Sequence, residues 1–288
     1  MTDSPPETAI QTLPVLGSIK ETLTAVFGYP SLFVKAVTLP LLLSIVLWLI
    51  WDLLSDVESV VLDVSAFYID LIPYAFFGVA WHRLTLLGPD EGRPPLLPRP
   101  SRRHVIFFIF AAIVTSIYHL PVRIVGFGVD QGWSSSSLDT GEFLFWLSSV
   151  GVVLIVVVFY LGIPYLMFRF SFVFPAAAVD ERYRLSHSWR HTQHQGFRLL
   201  LLGGAVGAPA YLLVLLISVH LDAAFGIYDP TKELSFGSID GLFYAVLTYV
   251  LLPALSYVPI ALVVAAISLA FRTLTGWVPA NPRRIPAD

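Results

Sequence analysis

Residues 242–271 read LFYAVLTYVLLPALSYVPIALVVAAISLAF, thirty consecutive positions without an Asp, Glu, Lys or Arg. About 20 helical residues cross a hydrocarbon core of ~30 Å, so this run is longer than one span needs. Lipid offers backbone amides no water, which leaves only helices and closed barrels as spanning structures. Hydrophobicity here is continuous rather than alternating, and that selects the helix over the barrel strand. The excess length predicts a kink near Pro253 or Pro259, or a steep tilt.

Working outward from this run, five more apolar segments follow the same logic. Residues 199–221 and 143–168 also contain no Asp, Glu, Lys or Arg, while 105–124, 32–51 and 60–81 carry isolated charges. Pro40, Pro73, Pro121, Pro164, Pro209, Pro253 and Pro259 fall inside or near the ends of these segments. In a bundle, neighbouring helices can satisfy the carbonyls that proline frees. The composition points the same way. The 288 residues are 56% hydrophobic and 13% charged, about half the charge of a soluble domain, and mean hydropathy is +0.77. A water-soluble globule is excluded, and so is a disordered chain, which needs low hydrophobicity and high charge.

Segment 60–81 is interrupted by Asp63 and Asp70, and the flanking charges decide whether it crosses. Asp52, Asp56 and Glu58 precede it; Arg83, Arg93, Arg99, Arg102 and Arg103 follow it. Cytoplasmic loops collect Lys and Arg, so the two loops belong on opposite sides. With six crossings, Lys20, Lys35, the five arginines just named, Arg169, Arg182, Arg184, Arg190, Arg198, Arg272, Arg283 and Arg284 share one side. That is 15 of the 17 basic residues, with only Arg123 and Lys232 opposite. Both termini are then cytoplasmic. The N-terminal MTDSPPETAIQTLP lacks the basic and apolar regions of a cleavable signal peptide, so insertion is expected to begin at an internal segment.

Two cytoplasmic stretches are expected to lie on the membrane as amphipathic helices. One is about 15–27, with Ile19, Leu23 and Phe27 on one face and Gly28 and Pro30 ending it. The other is about 180–194, with Tyr183, Leu185 and Trp189 among Arg and His. The predicted class is therefore an all-α integral membrane protein with six transmembrane helices and two cytoplasmic interfacial helices. Residues 1–14 form a polar tail, 15–272 a single transmembrane domain and 273–288 a cytoplasmic tail. The proline-rich GRPPLLPRPSRR at 92–103 is expected to be extended.

Candidate chemistry is sparse. Ionisable groups inside membrane segments are costly and hint at function, which singles out Asp63 and Asp70, two helical turns apart, with His119 and Arg123. An ion-handling cluster and a structural Asp–Arg lock both fit them. His187, His191 and His194 fall at i, i+4 and i+7, yet no HExxH is present and Arg190 sits among them. Arg182, Arg184, Arg190, His187 and His191 suit anionic lipid headgroups better than a metal. Gly203 and Gly207 form a GxxxG spacing for close helix packing, and a break at Gly207–Pro209 is the transporter-like alternative. No metal or other cofactor is expected. The absence of cysteine removes thiolate chemistry. A net charge of −3 argues against nucleic acid. No GxSxG, P-loop or GxGxxG occurs, so no enzyme is expected.

The stretch FRFSFVFPAAAVDERYRLSHSWRHTQHQGFRLLLL, with Arg169, Pro175, Ser188, Trp189, Thr192 and Arg198, resembles a recurring arrangement in bacterial inner-membrane proteins. These are the YciC-like proteins and the membrane domain of some glycerophosphoryl diester phosphodiesterases. AWHRLTLLGPDEG, with Arg83, Leu87 and Gly88, is similar to the same family's first cytoplasmic turn. The resemblance implies a six-helix bacterial inner-membrane protein and no particular activity. The expected role is structural or envelope-associated, through membrane lipids or a protein partner, which includes a homo-oligomer. The alternative is a transporter or channel component using the Asp70 region.

Overall fold

The computed structural model describes residues 12–54, 68–92, 94, 100–128, 161–225, 243 and 246–279. Every regular element among them is helical: α1 (Val15–Phe27), α2 (Pro30–Leu54), α3 (Leu71–Glu91), α4 (Arg102–Gly128), α5 (Ile163–Phe170), α6 (Val173–Ala178), α7 (Leu185–His191), α8 (Gly196–Phe225), and a π-helical segment, Val246–Leu251, that continues as α9 (Leu252–Thr275). Three stretches, Pro30–Trp51, Gly196–Ala223 and Val246–Thr275, are long and apolar enough to cross a membrane. α3 takes up the second half of the second expected segment and α4 the whole of the third. Residues 60–67 and 143–160, in the second and fourth, lie outside the described residues.

The outer surface explains why such a chain needs lipid. Along α4, Val105, Ile109, Ile113 and Ile117 recur every fourth residue and each is at least half exposed. Along α8, Phe197, Leu201, Leu212, Leu216 and Val219 form a second outward stripe. Apolar patches of this extent are not tolerated in water. The molecule is a membrane protein.

α9 is the central element and packs against α1, α2, α3 and α8. Its inner face is rich in small residues, with Ala261, Ala265, Ala266, Ser268 and Ala270 fully covered. Small side chains let backbones approach closely where lipid supplies no hydrophobic drive to associate. The Phe77 and Trp81 rings stack at 5.8 Å, with Tyr257 edge-on to Phe77 at 4.9 Å and Phe33 edge-on to Trp81 at 5.5 Å. Buried polar groups need partners, and Trp81 and His82 have them. The Trp81 indole N–H donates to the Ala261 carbonyl at 3.0 Å, and His82 Nδ1 shares a 2.7 Å hydrogen bond with Ser268.

Proline is absorbed in the two ways expected of a bundle. α8 runs unbroken through Pro209, and α9 through Pro259. The backbone irregularity is the π segment, which gives way to α-helix at Leu252, so that Pro253 sits in the first turn, where no amide donor is required. At the end of α3, Gly88 holds φ 83° and ψ 177°, a conformation open essentially only to glycine. The Gly92 amide closes that turn on the Gly88 carbonyl at 2.9 Å.

α1 has the expected bounds, with Ser18, Thr22 and Val26 buried against the bundle, Leu23 and Phe27 exposed and Ile19 half-buried. One expectation about the short helices is corrected. The second helix is shorter than 180–194. Asp180 takes a left-handed φ of 61° and Arg184 is extended, so α7 begins only at Leu185. It ends at His191, and His194, at φ 63°, has left the face of His187 and His191.

Candidate functional site

Several of the described arginines converge on one end of the bundle. The Leu13 amide donates to Gln195 Oε1 at 3.3 Å, and Glu21 faces Arg272 at 3.9 Å. Arg103 grips both carboxylate oxygens of Asp180, and Arg83 donates to the Ala178 carbonyl at 3.1 Å. The Trp277 indole donates to Glu181 at 3.1 Å. The approach to α1, the α3–α4 connection, the α5–α8 connection and the end of α9 are thereby tied into one unit.

At its centre is Arg169, in the last turn of α5 and only 7% exposed. No carboxylate meets it among the described residues. Its guanidinium lies 3.4 Å from the Trp189 ring centroid, donates from Nη2 to the Trp189 carbonyl at 2.7 Å, and from Nε to Thr192 Oγ1 at 3.3 Å. The Ser188 hydroxyl returns a 2.7 Å bond to the Arg169 carbonyl, and Thr192 Oγ1 lies 2.7 Å from the Ser188 carbonyl. Ser188 and Thr192 are completely buried. The cation thus sits where α5 and α7 both end, and C-terminal carbonyls favour positive charge. Phe170 stacks on Trp189 at 5.4 Å. The same interaction explains why α7 stops: Thr192 turns back onto it, and the chain reverses into α8.

Beside this clasp, Tyr183 is the hub of an aromatic cluster. Its hydroxyl shares a 2.7 Å hydrogen bond with His191 Nδ1, and its ring meets His187, His191 and Phe271. Burial pushes the Tyr183 phenol well above its ordinary range. Desolvation, then the neighbouring His187 and Arg190, hold the His191 imidazole below its ordinary 6.5. The sign follows from linkage. The unfolded chain takes up this proton first as pH falls, so the stabilisation is whole above about pH 6.5 and is lost progressively below it. We expect the thermal midpoint of the purified protein to drop between pH 7 and 5, and His191→Gln to flatten that slope. An unchanged slope in the variant would remove His191 from the account.

Residues 97–278, more than half of the chain, match the model of a family described as a family of unknown function, DUF7544. The chain belongs to this family. No curated protein matches the chain, and neither does any solved structure. The DUF7544 match opens just before α4 and closes one residue after Trp277. It therefore takes in the whole Arg169 clasp and the Arg103–Asp180 and Trp277–Glu181 contacts beside it, while Leu13, Glu21 and Arg83 lie outside it.

The other candidates of this DUF7544 chain are placed as follows. Asp70 is exposed at the start of α3 and makes no capping bond there. Asp63 and the side chains of His119 and Arg123 lie outside the described residues. Gly203 abuts the Phe168 ring and Gly207 abuts Val263, so both face packed neighbours. Arg182, Arg184 and Arg190 are exposed, whereas His187 and His191 are engaged with Tyr183. No trio of histidine or carboxylate groups among the described residues is placed to hold a metal. Sequence reasoning missed Tyr183 as a hub and Gln195 as the dock for α1. The available signal for the clasp was the recurrence of Arg169 with Ser188, Trp189 and Thr192.

Proposed function

We propose that the chain is a six-span protein of the bacterial cytoplasmic membrane, with both termini inside. Its role is structural and envelope-associated, exercised through lipid or protein contacts at its basic end. The resemblance of the Arg169–Arg198 stretch to YciC-like membrane proteins fits this location and brings no catalytic expectation. The observation that carries the reading is the convergence just described. Leu13 and Trp277, near the two ends of the chain, are tied to Gln195 and Glu181 of the same connection. Contacts that bring both ends to one side support an even number of crossings, and the positive-inside rule makes that side cytoplasmic. The transporter alternative draws on the Asp70 region and on a broken helix at Gly207–Pro209; α8 is continuous through Pro209, and Asp63 with the side chains of His119 and Arg123 lies outside the described residues.

The natural chain has no cysteine, so single substitutions give a clean topology map. On intact cells, a membrane-impermeant maleimide is expected to label Ser135→Cys and to spare Ser101→Cys and Ser186→Cys until the membrane is opened. Labelling of Ser186→Cys from outside overturns the orientation. Labelling of Ser101→Cys and Ser186→Cys from different sides overturns the six-span reading itself.

A further inference from the structure

The clasp fixes one edge of α7 and leaves the other facing outward. Ser188 and Thr192 are buried against Arg169, while Leu185, Trp189 and Arg190 are exposed, with Arg184 just before them. Phe197 and Arg198 continue the exposed surface onto α8, and Phe197 heads the apolar stripe that runs down to Val219. This edge therefore stands where the lipid-facing surface begins.

Its charge is unbalanced for a structural reason. Between residues 180 and 198 the only carboxylates are Asp180 and Glu181. Arg103 holds the first and the Trp277 indole the second. The neighbouring cations that could have paired internally are spent elsewhere: Arg83 on the Ala178 carbonyl and Arg169 inside the clasp. Arg182, Arg184, Arg190 and Arg198 remain exposed beside Leu185, Trp189 and Phe197. Cations and large apolar groups on one edge, at the head of a lipid-facing stripe, match a surface that is anionic above and apolar below.

We propose that this edge binds the phosphate headgroups of anionic phospholipids in the adjoining leaflet. Arg184, Arg190 and Arg198 meet phosphate oxygens, and Leu185, Trp189 and Phe197 settle among the upper acyl carbons. The positive charge of the arginine side chains at headgroup height is what meets the phosphate. The inference deepens the membrane role above and rests on it. It is nonetheless tested without reference to cellular orientation, so the two can fail separately.

The test uses the full chain in nanodiscs containing phosphatidylcholine with about one third phosphatidylglycerol, with retained lipid counted by native mass spectrometry. The unsubstituted protein is expected to retain phosphatidylglycerol preferentially. The triple variant Arg184→Gln, Arg190→Gln, Arg198→Gln is expected to lose about tenfold or more of that preference, and Arg102→Gln, an exposed cation elsewhere on this end, less than about twofold. The corresponding triple lysine variant keeps the charges and is expected to retain most of the preference, which separates lost recognition from lost folding. Undiminished preference in the glutamine variant overturns the proposal. So does a lysine variant that behaves like the glutamine one while melting normally. Inorganic phosphate at millimolar concentration, or a polyglutamate peptide, bound by the protein in pure phosphatidylcholine discs with no lipid preference in the mixed ones, overturns it in favour of a free anion or an acidic protein partner.

Discussion

Arg169→Ala is expected to release α7 from the bundle and cost about 3 kcal/mol or more of stability. Two charge-assisted hydrogen bonds are lost, each worth about 1.5–3 kcal/mol, together with a desolvated cation–π contact worth about 2. The guanidinium's own hydration on unfolding offsets part of that sum. The groups left behind make the loss hard to recover. Thr192 and Ser188 stay buried without the charge they were arranged around, and Trp189 loses the plane that covers it. Arg169→Lys keeps a cation near the helix ends but cannot reach Trp189 and Thr192 as a planar fork, so about half of the loss is expected. Thermal unfolding in detergent measures the stability loss. Proteolysis at Arg182, Arg184 and Arg190 measures the release, because a freed α7 exposes those bonds to trypsin. A variant that melts like the natural protein and resists trypsin equally would show that the clasp holds nothing.

Much of the fold follows from length and hydropathy, because these obey the thickness of the bilayer and not the details of packing. The bounds of α1, α2 and α8 fall within a few residues of those expected from 15–27, 32–51 and 199–221. What hydropathy does not encode is which face of a helix points inward. In α1 the apolar Leu23 and Phe27 stay exposed, while Ser18 and Thr22 meet α8 and α9 because small side chains let the backbones close up, with the Thr22 hydroxyl returned to the Ser18 carbonyl at 2.7 Å. The α7 region failed for a different reason. Its helical pattern extends over 180–194, but the Arg103–Asp180 pair and the Thr192 bonds, both made to residues distant in sequence, set the two ends. Of the site, the motif residues Arg169, Ser188, Trp189 and Thr192 were legible as a group, while their purpose was not. Spacing of 19 to 23 residues says nothing of contact until the chain has turned at Asp180.

The inward and outward faces of α8 can be told apart by two adjacent glycines. Gly203→Val is expected to destabilise the protein by about 3 kcal/mol, near the upper end for overpacking a filled site. A Cβ there runs into the Phe168 ring, and Phe168 packs against the central core, so the ring cannot simply swing clear. Gly207→Val is expected to cost less, about 1 kcal/mol, since the Cβ meets a single Val263 methyl at 2.7 Å. Gly204→Val, one residue away and on the exposed side, finds no atom within 4 Å, and its effect should stay within about 0.5 kcal/mol. Unfolding in mixed micelles of mild and denaturing detergent ranks the three. The predicted order follows from packing alone and owes nothing to helix propensity, which changes alike at all three positions. A loss at Gly204 as large as that at Gly203 would mean that lipid does not cover the outer face of α8, and that a second protein surface lies against it.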